Sequence, residues 1–408
     1  MPKIFYGWWI TIASSVGLST SPGQFAFGAL GLFMIPLTLE FSADRADVAL
    51  ASTYFTVALA LTSPFIGKIA DRFGSKEVLL PSLLAFGLLL ASIAFFVNAL
   101  WQLYIIFALI GILAAGANAL PYMRIIGEWF NKRRGLALGI AMAGGGAGYT
   151  YVPPMLQYII DNYSWRHGYY TLAAIVLFIA LPISALFLKN TPQEVGHLPD
   201  NEAEASNTTA AVNDAISFNE VIREKSFWIL YLIFALLSFC LYGILSNLVP
   251  MLIDRGMEGS DAAAVAAMLG IAILVSRAGI GYFLDKYFAP KVAIVSILLS
   301  TIGVAMLAMG VTNMPAYIAA LLIGLSIGTE FDLLAYLTTR YFGLSSFGMV
   351  YGLMFSAFLV GTSIGPVSFG ASFDEFGSYV NVLILSAIIL IITVGLFLLL
   401  PKYKYDAS

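Results

Sequence analysis

A stretch without any Asp, Glu, Lys or Arg runs from residue 78 to residue 123 and reads VLLPSLLAFGLLLASIAFFVNALWQLYIIFALIGILAAGANALPYM. The apolar core of a bilayer is about 30 Å thick, and roughly 20 residues of α-helix cross it. This stretch is therefore long enough to cross a bilayer twice. Comparable uncharged runs occur at 168–188, 292–329, 341–373 and 376–401. The pattern predicts a membrane protein with many transmembrane helices.

The composition excludes an ordinary soluble fold. Hydrophobic residues make up 60% and charged residues 11% of the 408 residues, and the mean hydropathy is +0.90. Soluble domains carry about 25% charged residues. The net charge of −3 and the scattered basic residues argue against nucleic acid as a partner. A single cysteine, Cys240, and two histidines without ligand spacing predict no metal site, no intrachain disulfide and no cofactor.

Dividing the uncharged runs at polar, Gly-marked or Pro-marked turns predicts twelve transmembrane helices in an all-α fold. The predicted spans lie near 7–36, 47–69, 78–97, 101–127, 135–160, 168–188, 227–252, 262–284, 291–311, 315–339, 346–371 and 378–400. With both termini in the cytoplasm, all Lys and Arg residues except Arg45, Arg166, Arg255 and Arg277 fall at or near the inner face. This bias satisfies the positive-inside rule and predicts a protein of the cytoplasmic (plasma or inner) membrane.

The two halves of the chain carry related segments. Gly67 and Asp71 in GKIADRFGSK recur at the same spacing as Gly281 and Asp285 in GYFLDKYFAPK. Residues 190–222 are polar, acidic and rich in Ala, Ser, Thr and Asn, a composition typical of a linker. A duplicated six-helix unit predicts a solute site near the midplane between the halves. The predicted domains are a six-helix bundle, a cytoplasmic linker and a second six-helix bundle, at 1–189, 190–222 and 223–408.

Several segments are similar to those of a known family. GKIADRFGSK resembles the loop between the second and third helices that marks the major facilitator superfamily. Five further segments resemble the monocarboxylate transporter group and its bacterial relatives, which include the oxalate/formate antiporters. These segments are YGWW at 6–9, WFNKRRGLALGIAMAGGGAG at 129–148, TPQEVGHLPD at 191–200, RAGIGYFLD at 277–285 and RYFG at 340–343. The resemblance implies a secondary transporter that works by alternating access.

The superfamily loop makes physical sense as a gate at the cytoplasmic side. An Asp at the end of one helix can cap the N-terminus of a neighbouring helix, and flanking cations can join a charge network. We expect Asp71 and Arg72, with Gly67, to form this gate, and Gly281 and Asp285 to form its counterpart. The alternative is that these are solvated loop charges that follow the positive-inside rule.

Arg277 falls well inside a predicted span. If the eighth helix begins near residue 262, Arg277 lies about 22 Å along its axis. An arginine near mid-membrane costs roughly 2.5 to 3.5 kcal/mol on insertion scales, so it normally faces a water-filled path or a partner. Its guanidinium fork matches a carboxylate in a bidentate pair. In the resembled group, the arginine of an RxxxGxxxD pattern binds the substrate carboxylate, and this arginine matches it. The alternative is a structural ion pair.

Two acids, Glu330 and Asp332, fall inside the tenth span at a depth similar to that of Arg277. Two positions apart on a helix, they point about 200° away from each other, so at most one faces the central cavity. The repeat aligns Glu330 with Asn118, which favours Glu330 as the cavity-facing acid and as a partner for Arg277. Both acids are candidates for proton coupling. The alternative is that they only brace neighbouring helices or Arg340.

Polar and aromatic side chains complete the predicted binding site. Asn118 and Tyr122 share one face of the fourth helix, at positions i and i+4, and can offer hydrogen bonds to the solute. Tyr149, Tyr336 and Phe355 are expected to line the pathway from the fifth, tenth and eleventh spans. For each of these aromatic residues, packing between helices is the alternative.

Three residues that are typical of the resembled group are missing from this chain. Their absence means that Glu330 or Asp332 would have to replace the usual proton-coupling pair, and it limits the charge of the expected substrate. Proton-coupled relatives carry an Asp one turn before the arginine, where this chain has Ile273, and a lysine in the first helix, near Phe27 or Gly28 here. The oxalate antiporters carry a lysine in the eleventh helix, and residues 341–373 contain none. Without a second deep cation, a monoanion is favoured over a dianion.

The sequence therefore predicts a secondary active transporter of a small monocarboxylate, coupled to protons and functional as a monomer in the lipid bilayer. Alternatives are exchange of organic anions and export of another small amphipathic compound. A membrane enzyme would need a catalytic constellation, and the sequence has neither an HExxH motif nor a Ser/His/Asp grouping. No catalytic residue is predicted.

Overall fold

The computed structural model of the protein describes residues 5–130, 133–198, 218–342 and 347–403. Within the helices, the side chains at 71, 218–219, 281, 285 and 347–349 are outside the description. The predicted gate residues Asp71, Gly281 and Asp285 therefore lie outside the described side chains. Residues 199–217 of the predicted linker, 131–132 of the WFNKRR segment and Gly343 of the RYFG segment lie outside the described residues altogether.

The chain forms two compact units, Met1–Ser206 and Asn207–Ser408. The helices of the first unit are α1 (Tyr6–Ser19), α2 (Leu30–Phe41), α3 (Arg45–Phe73), α4 (Ser75–Phe96), α5 (Leu100–Leu113), α6 (Ala119–Trp129), α7 (Arg134–Asn162), α8 (Trp165–Ile175) and α9 (Leu181–Phe187). The helices of the second unit are α10 (Phe218–Val221), α11 (Lys225–Asp254), α12 (Gly259–Lys286), α13 (Ala289–Ala308), α14 (Asn313–Phe342), α15 (Phe347–Phe376) and α16 (Val380–Leu398).

These helices confirm the predicted all-α fold of twelve spans. Ten helical segments in the described residues are long and apolar enough to cross a membrane. The predicted fifth span is α7, whose length is sufficient but whose hydropathy is diluted by Gly, Pro and Tyr. The predicted fourth span is divided between α5 and α6, each too short to cross alone. The described residues of each unit therefore form six spans.

Three spans of the first unit are interrupted. A π-helix at Gly23–Gly28 joins α1 to α2, and another at Val176–Ala180 joins α8 to α9. A single 3-10 turn at Ala115–Ala117 separates α5 from α6. Asn118 follows this turn as the N-cap residue of α6. Such irregular segments are frequent at functional sites of proteins, including transporters.

The same close contact between two helices occurs inside each unit. In the first unit α3 packs along α5, and a Cβ atom at Gly111 would lie 2.5 Å from the carbonyl oxygen of Phe55. In the second unit α12 packs along α14, and a Cβ atom at Gly324 would lie 2.5 Å from the carbonyl oxygen of Leu269. Both contacts require a residue without a side chain. The duplication seen in the sequence therefore extends to the packing of helices within each unit.

The beginning of the predicted linker packs against residues near the N-terminus of the chain and the end of α6. The Trp129 indole N–H donates to the carbonyl oxygen of Lys189 (2.9 Å), and its ring centroid lies 5.4 Å from that of Tyr6. The ring of His197 stacks on Phe5 at 6.0 Å. Three segments that carry the family resemblance, near YGWW, WFNKRR and TPQEVGH, thus meet in one cluster.

Candidate functional site

Arg277 lies in the half of α12 that ends at Lys286, about 14 Å from that end. It is roughly 27 Å from the first residue of the helix, a longer distance than predicted because α12 begins at Gly259 rather than near 262. The side chain is half-buried, and the guanidinium carbon lies 5.5 Å from the ring centroid of Phe331 in α14. A cation–π contact depends on the charge of the guanidinium and does not by itself occupy an N–H donor.

Contacts between α12 and α14 fix the position of Arg277. The neighbouring Ser276 donates to the carbonyl oxygen of Leu325 (2.7 Å) and its hydroxyl lies 2.8 Å from that of Thr329. A Cβ atom at Gly328 would lie 2.6 Å from the carbonyl oxygen of Ile273, so the two backbones approach closely there. The depth and rotation of Arg277 relative to the acids of α14 are therefore set by backbone contact.

Both candidate acids of α14 lie within electrostatic range of Arg277. Their exposure differs from the expectation that Glu330 is the accessible acid. Glu330 is 2% exposed, and neither of its carboxyl oxygens has a hydrogen-bond partner among the described residues. Asp332 is half-buried. The face of α14 that carries Glu330 points into the unit, towards Cys240 of α11, so Asp332 is the more accessible of the two.

An aromatic wall stands beside Arg277, built from Phe331 of α14 and Tyr351, Phe355 and Phe358 of α15. The ring centroid of Phe331 lies 6.2 Å from that of Phe355 and 4.8 Å from that of Phe358. Phe355 stacks on Phe358 at 5.5 Å and on Tyr351 at 6.3 Å. Of these four residues, only Phe355 is predicted from the sequence to line the pathway. The i, i+4 spacing of Tyr351 and Phe355, and the position of Phe331 between the two acids, are signals that could have identified the others.

In the first unit, Asn118 and Tyr149 are half-buried beside the interrupted helices. The Asn118 amide donates to the carbonyl oxygen of Ala115 (3.3 Å), which is compatible with its role as N-cap of α6. The Tyr149 hydroxyl donates to the carbonyl oxygen of Gly23 at the start of the π-helix (3.2 Å). This π-helix contains Phe27 and spans the region where the lysine of the resembled group is missing. Both residues remain predicted solute contacts.

Tyr122 and Tyr336 are engaged in other contacts. Tyr122 is fully buried, and its hydroxyl occupies the space where a Cβ atom of Gly17 would be. It therefore packs α6 against α1 and presents no surface to a solute. The Tyr336 hydroxyl accepts a hydrogen bond from Arg340 (2.8 Å), whose guanidinium also lies 5.1 Å from the Tyr336 ring centroid.

The described part of the predicted gate is the junction between α3 and α4. Arg72 is exposed, and its guanidinium carbon lies 5.2 Å from the ring centroid of Phe73. Gly74 joins the two helices with φ of +102°, a conformation that favours glycine. A Cβ atom at Gly67 would meet only Leu120, at 3.9 Å. The gate remains a prediction. Among the described residues, no group of three His, Cys, Asp or Glu side chains could hold a metal ion.

The sequence of this chain is similar to those of known membrane transporters. The family model of the Major Facilitator Superfamily matches residues 16–366. Monocarboxylate transporter 11 of Mus musculus is 26% identical over 388 residues, which covers 92% of this chain and 83% of that protein. An Escherichia coli K12 protein described as the uncharacterized MFS-type transporter YhjX is 24% identical over 368 residues, covering 87% and 85%.

A solved structure has the same fold. It is a bacterial homologue of the human lysosomal transporter Spinster, in an inward-facing and occupied conformation, with a TM-score of 0.68 at 15% identity, covering 96% of this chain and 95% of that one. The family and these relatives are transporters rather than enzymes. The chain therefore belongs to the major facilitator superfamily and is an integral membrane transporter related to the monocarboxylate transporters.

Proposed function

We propose that the protein is a secondary active transporter of a small monocarboxylate. The observation that carries this proposal is the half-buried Arg277 in α12, which lies beside an aromatic wall and within electrostatic range of Asp332. A guanidinium at membrane depth requires a partner, and its fork fits one carboxylate. The similarity to a transporter named for monocarboxylates supports the same solute class.

We assign proton coupling to Asp332. It lies within electrostatic range of Arg277, as Glu330 does, and its side chain is more accessible than that of Glu330. In this scheme the substrate carboxylate and Asp332 compete for the guanidinium. When the substrate binds Arg277, Asp332 loses its counter-charge and takes up a proton, because apolar surroundings disfavour an unpaired carboxylate. Release of the substrate restores the Arg277–Asp332 interaction and frees the proton. One proton then moves with each carboxylate.

Glu330 is assigned a different state in the same scheme. Its carboxyl is buried, and no described residue gives either oxygen a hydrogen bond. Holding a charge there would be costly, so Glu330 is taken to stay protonated throughout the transport cycle. The remaining features of the proposal are alternating access, a functional monomer in the cytoplasmic membrane with both termini inside, and the inner gate of Gly67, Asp71, Arg72, Gly281 and Asp285.

The proposal is tested by uptake of labelled monocarboxylates into proteoliposomes that contain the purified protein. Saturable uptake is expected for at least one member of a panel with different side groups. An inward proton gradient of one pH unit is expected to raise its accumulation up to about tenfold, since one pH unit corresponds to 1.36 kcal/mol per proton. Uptake of none of the acids would contradict monocarboxylate transport, and exchange that ignores the gradient would contradict symport.

If Asp332 carries the proton, substitutions of Asp332 and Glu330 have opposite effects on uptake driven by a proton gradient. Asp332→Asn removes the proton acceptor, so gradient-driven accumulation is expected to disappear while exchange of substrate across the membrane persists. Glu330→Gln imitates a protonated glutamate and is expected to retain the response to the gradient. Both responses are measured in proteoliposomes, with counterflow as the assay of exchange. If Glu330→Gln lost the response and Asp332→Asn kept it, the proton would belong to Glu330.

A further inference from the structure

The aromatic wall beside Arg277 is larger than recognition of a short aliphatic acid requires. Three of its rings, Phe331, Tyr351 and Phe355, are half-buried, and only Phe358 is fully buried. Part of the surface of these three rings is therefore not covered by the described residues.

The geometry ties the wall to the guanidinium. The Arg277 guanidinium carbon is 5.5 Å from the Phe331 centroid, and Phe331 is 6.2 Å from Phe355. A ring joined by one or two carbon atoms to a carboxylate on this guanidinium is within reach of the Phe331 and Phe355 rings. Aromatic rings attract each other at centroid distances of 4.5 to 7 Å, in offset-stacked or edge-to-face arrangements. The spacing of the wall leaves a third ring in that range of both phenylalanines.

A short aliphatic acid would leave the wall unused. Acetate or lactate on Arg277 would cover little of the Phe331 and Phe355 rings, and their exposed faces would stay against water. Burial of apolar surface contributes roughly 25 cal/mol per Å². An aryl group therefore gains contact that a methyl group cannot make.

We infer that the preferred substrate is an aromatic monocarboxylate whose ring is separated from the carboxylate by one or two carbon atoms. This inference rests on the proposed function, because it takes Arg277 as the carboxylate site. It adds that Phe331 and Phe355 hold the ring and so determine specificity.

The test compares three acids in proteoliposomes that contain the wild-type protein. Phenylacetate is expected to be taken up with a lower KM than lactate by about tenfold or more, because each good aromatic contact adds about 0.5 to 1.5 kcal/mol to the burial of area. Cyclohexylacetate matches phenylacetate in size but lacks the aromatic ring, and it is expected to fall between them. Equal KM values for phenylacetate and lactate would overturn the inference.

Substitutions in the aromatic wall test whether Phe331 and Phe355 cause the preference for phenylacetate over lactate. Phe355→Leu and Phe331→Leu are expected to lower the ratio of phenylacetate uptake to lactate uptake by about 2- to 10-fold. Phe376→Leu is the matched control, since Phe376 is at the end of the same helix and 57% exposed, and its ratio is expected to equal that of wild type. If neither wall variant changes the ratio, the ring is held elsewhere and the inference is wrong. If a wall variant does not fold, the wild-type series still decides.

The two possible failures are distinguishable. The proposed function fails if no acid of any kind is transported, or if Arg277→Gln transports them all as well as wild type. The inference alone fails if carboxylates are transported through Arg277 but phenylacetate has no advantage over lactate.

Discussion

Replacement of Arg277 by Gln is expected to lower the initial rate of carboxylate uptake at low substrate concentration by about 30-fold or more. Loss of one partner of a desolvated, hydrogen-bonded charge pair costs about 2 to 5 kcal/mol, and each 1.4 kcal/mol is a factor of ten. Arg277→Lys keeps the charge but loses the planar fork, so an intermediate loss is expected. The assay is uptake into proteoliposomes with equal amounts of folded protein.

The control for this prediction is Arg223→Gln. Arg223 is exposed, lies in the same unit and follows the short helix α10 outside the spans. Its replacement is expected to leave uptake as in wild type. A folded Arg277→Gln protein with the same uptake as Arg223→Gln would show that the carboxylate is bound elsewhere.

The second large effect is expected at a helix contact. Gly144 lies in α7, and a Cβ atom there would overlap the carbonyl oxygen of Ser15 in α1. Gly→Ala in a helix normally stabilises by about 1 kcal/mol. At this position the methyl group forces the two backbones apart, and overpacking of this kind costs about 1 to 3 kcal/mol. Gly144→Ala is therefore expected to lower the midpoint of thermal unfolding in detergent by about 2 to 10 °C.

Gly139 supplies the matched control on the same helix. It is exposed, and no atom lies within 4 Å of its Cβ position, so Gly139→Ala is expected to leave the midpoint unchanged or raise it slightly. Gly361→Ala in α15 should behave like Gly144→Ala, because a Cβ there overlaps the carbonyl oxygen of Ala235. If Gly144→Ala and Gly139→Ala had the same midpoint of thermal unfolding, α1 and α7 would not approach each other as closely as described.

Much of the fold was predictable because crossing a bilayer demands length and apolarity, which a sequence displays directly. The eighth span was predicted at 262–284 and is the helix Gly259–Lys286; the second was predicted at 47–69 and is Arg45–Phe73. Charged residues extend the helices beyond the apolar core, and a count of uncharged residues misses that extension. The interruption at Ala115–Ala117 escaped prediction because the turn itself contains only Ala and Gly, and Asn118 after it was interpreted as a solute contact rather than as the start of a new helix.

The arrangement of the candidate site was less predictable, because hydropathy reports depth and not rotation about the helix axis. Arg277, Glu330 and Asp332 were placed at similar depth from sequence, but the face that each presents is set by packing. Backbone contact between α12 and α14 turns Glu330 inward and leaves Asp332 more accessible. The alignment of Glu330 with Asn118 carried no information about that rotation, which depends on where glycines permit close approach.

Equilibrium binding of a transported carboxylate and of its primary amide to the purified protein tests the role of Arg277 most directly. The two ligands have nearly the same shape and differ in charge. We expect wild type to bind the acid at least about 30-fold more tightly than the amide, and Arg277→Gln to reduce this ratio to within about threefold. An unchanged ratio in Arg277→Gln would show that the negative charge of the substrate is recognised by another group.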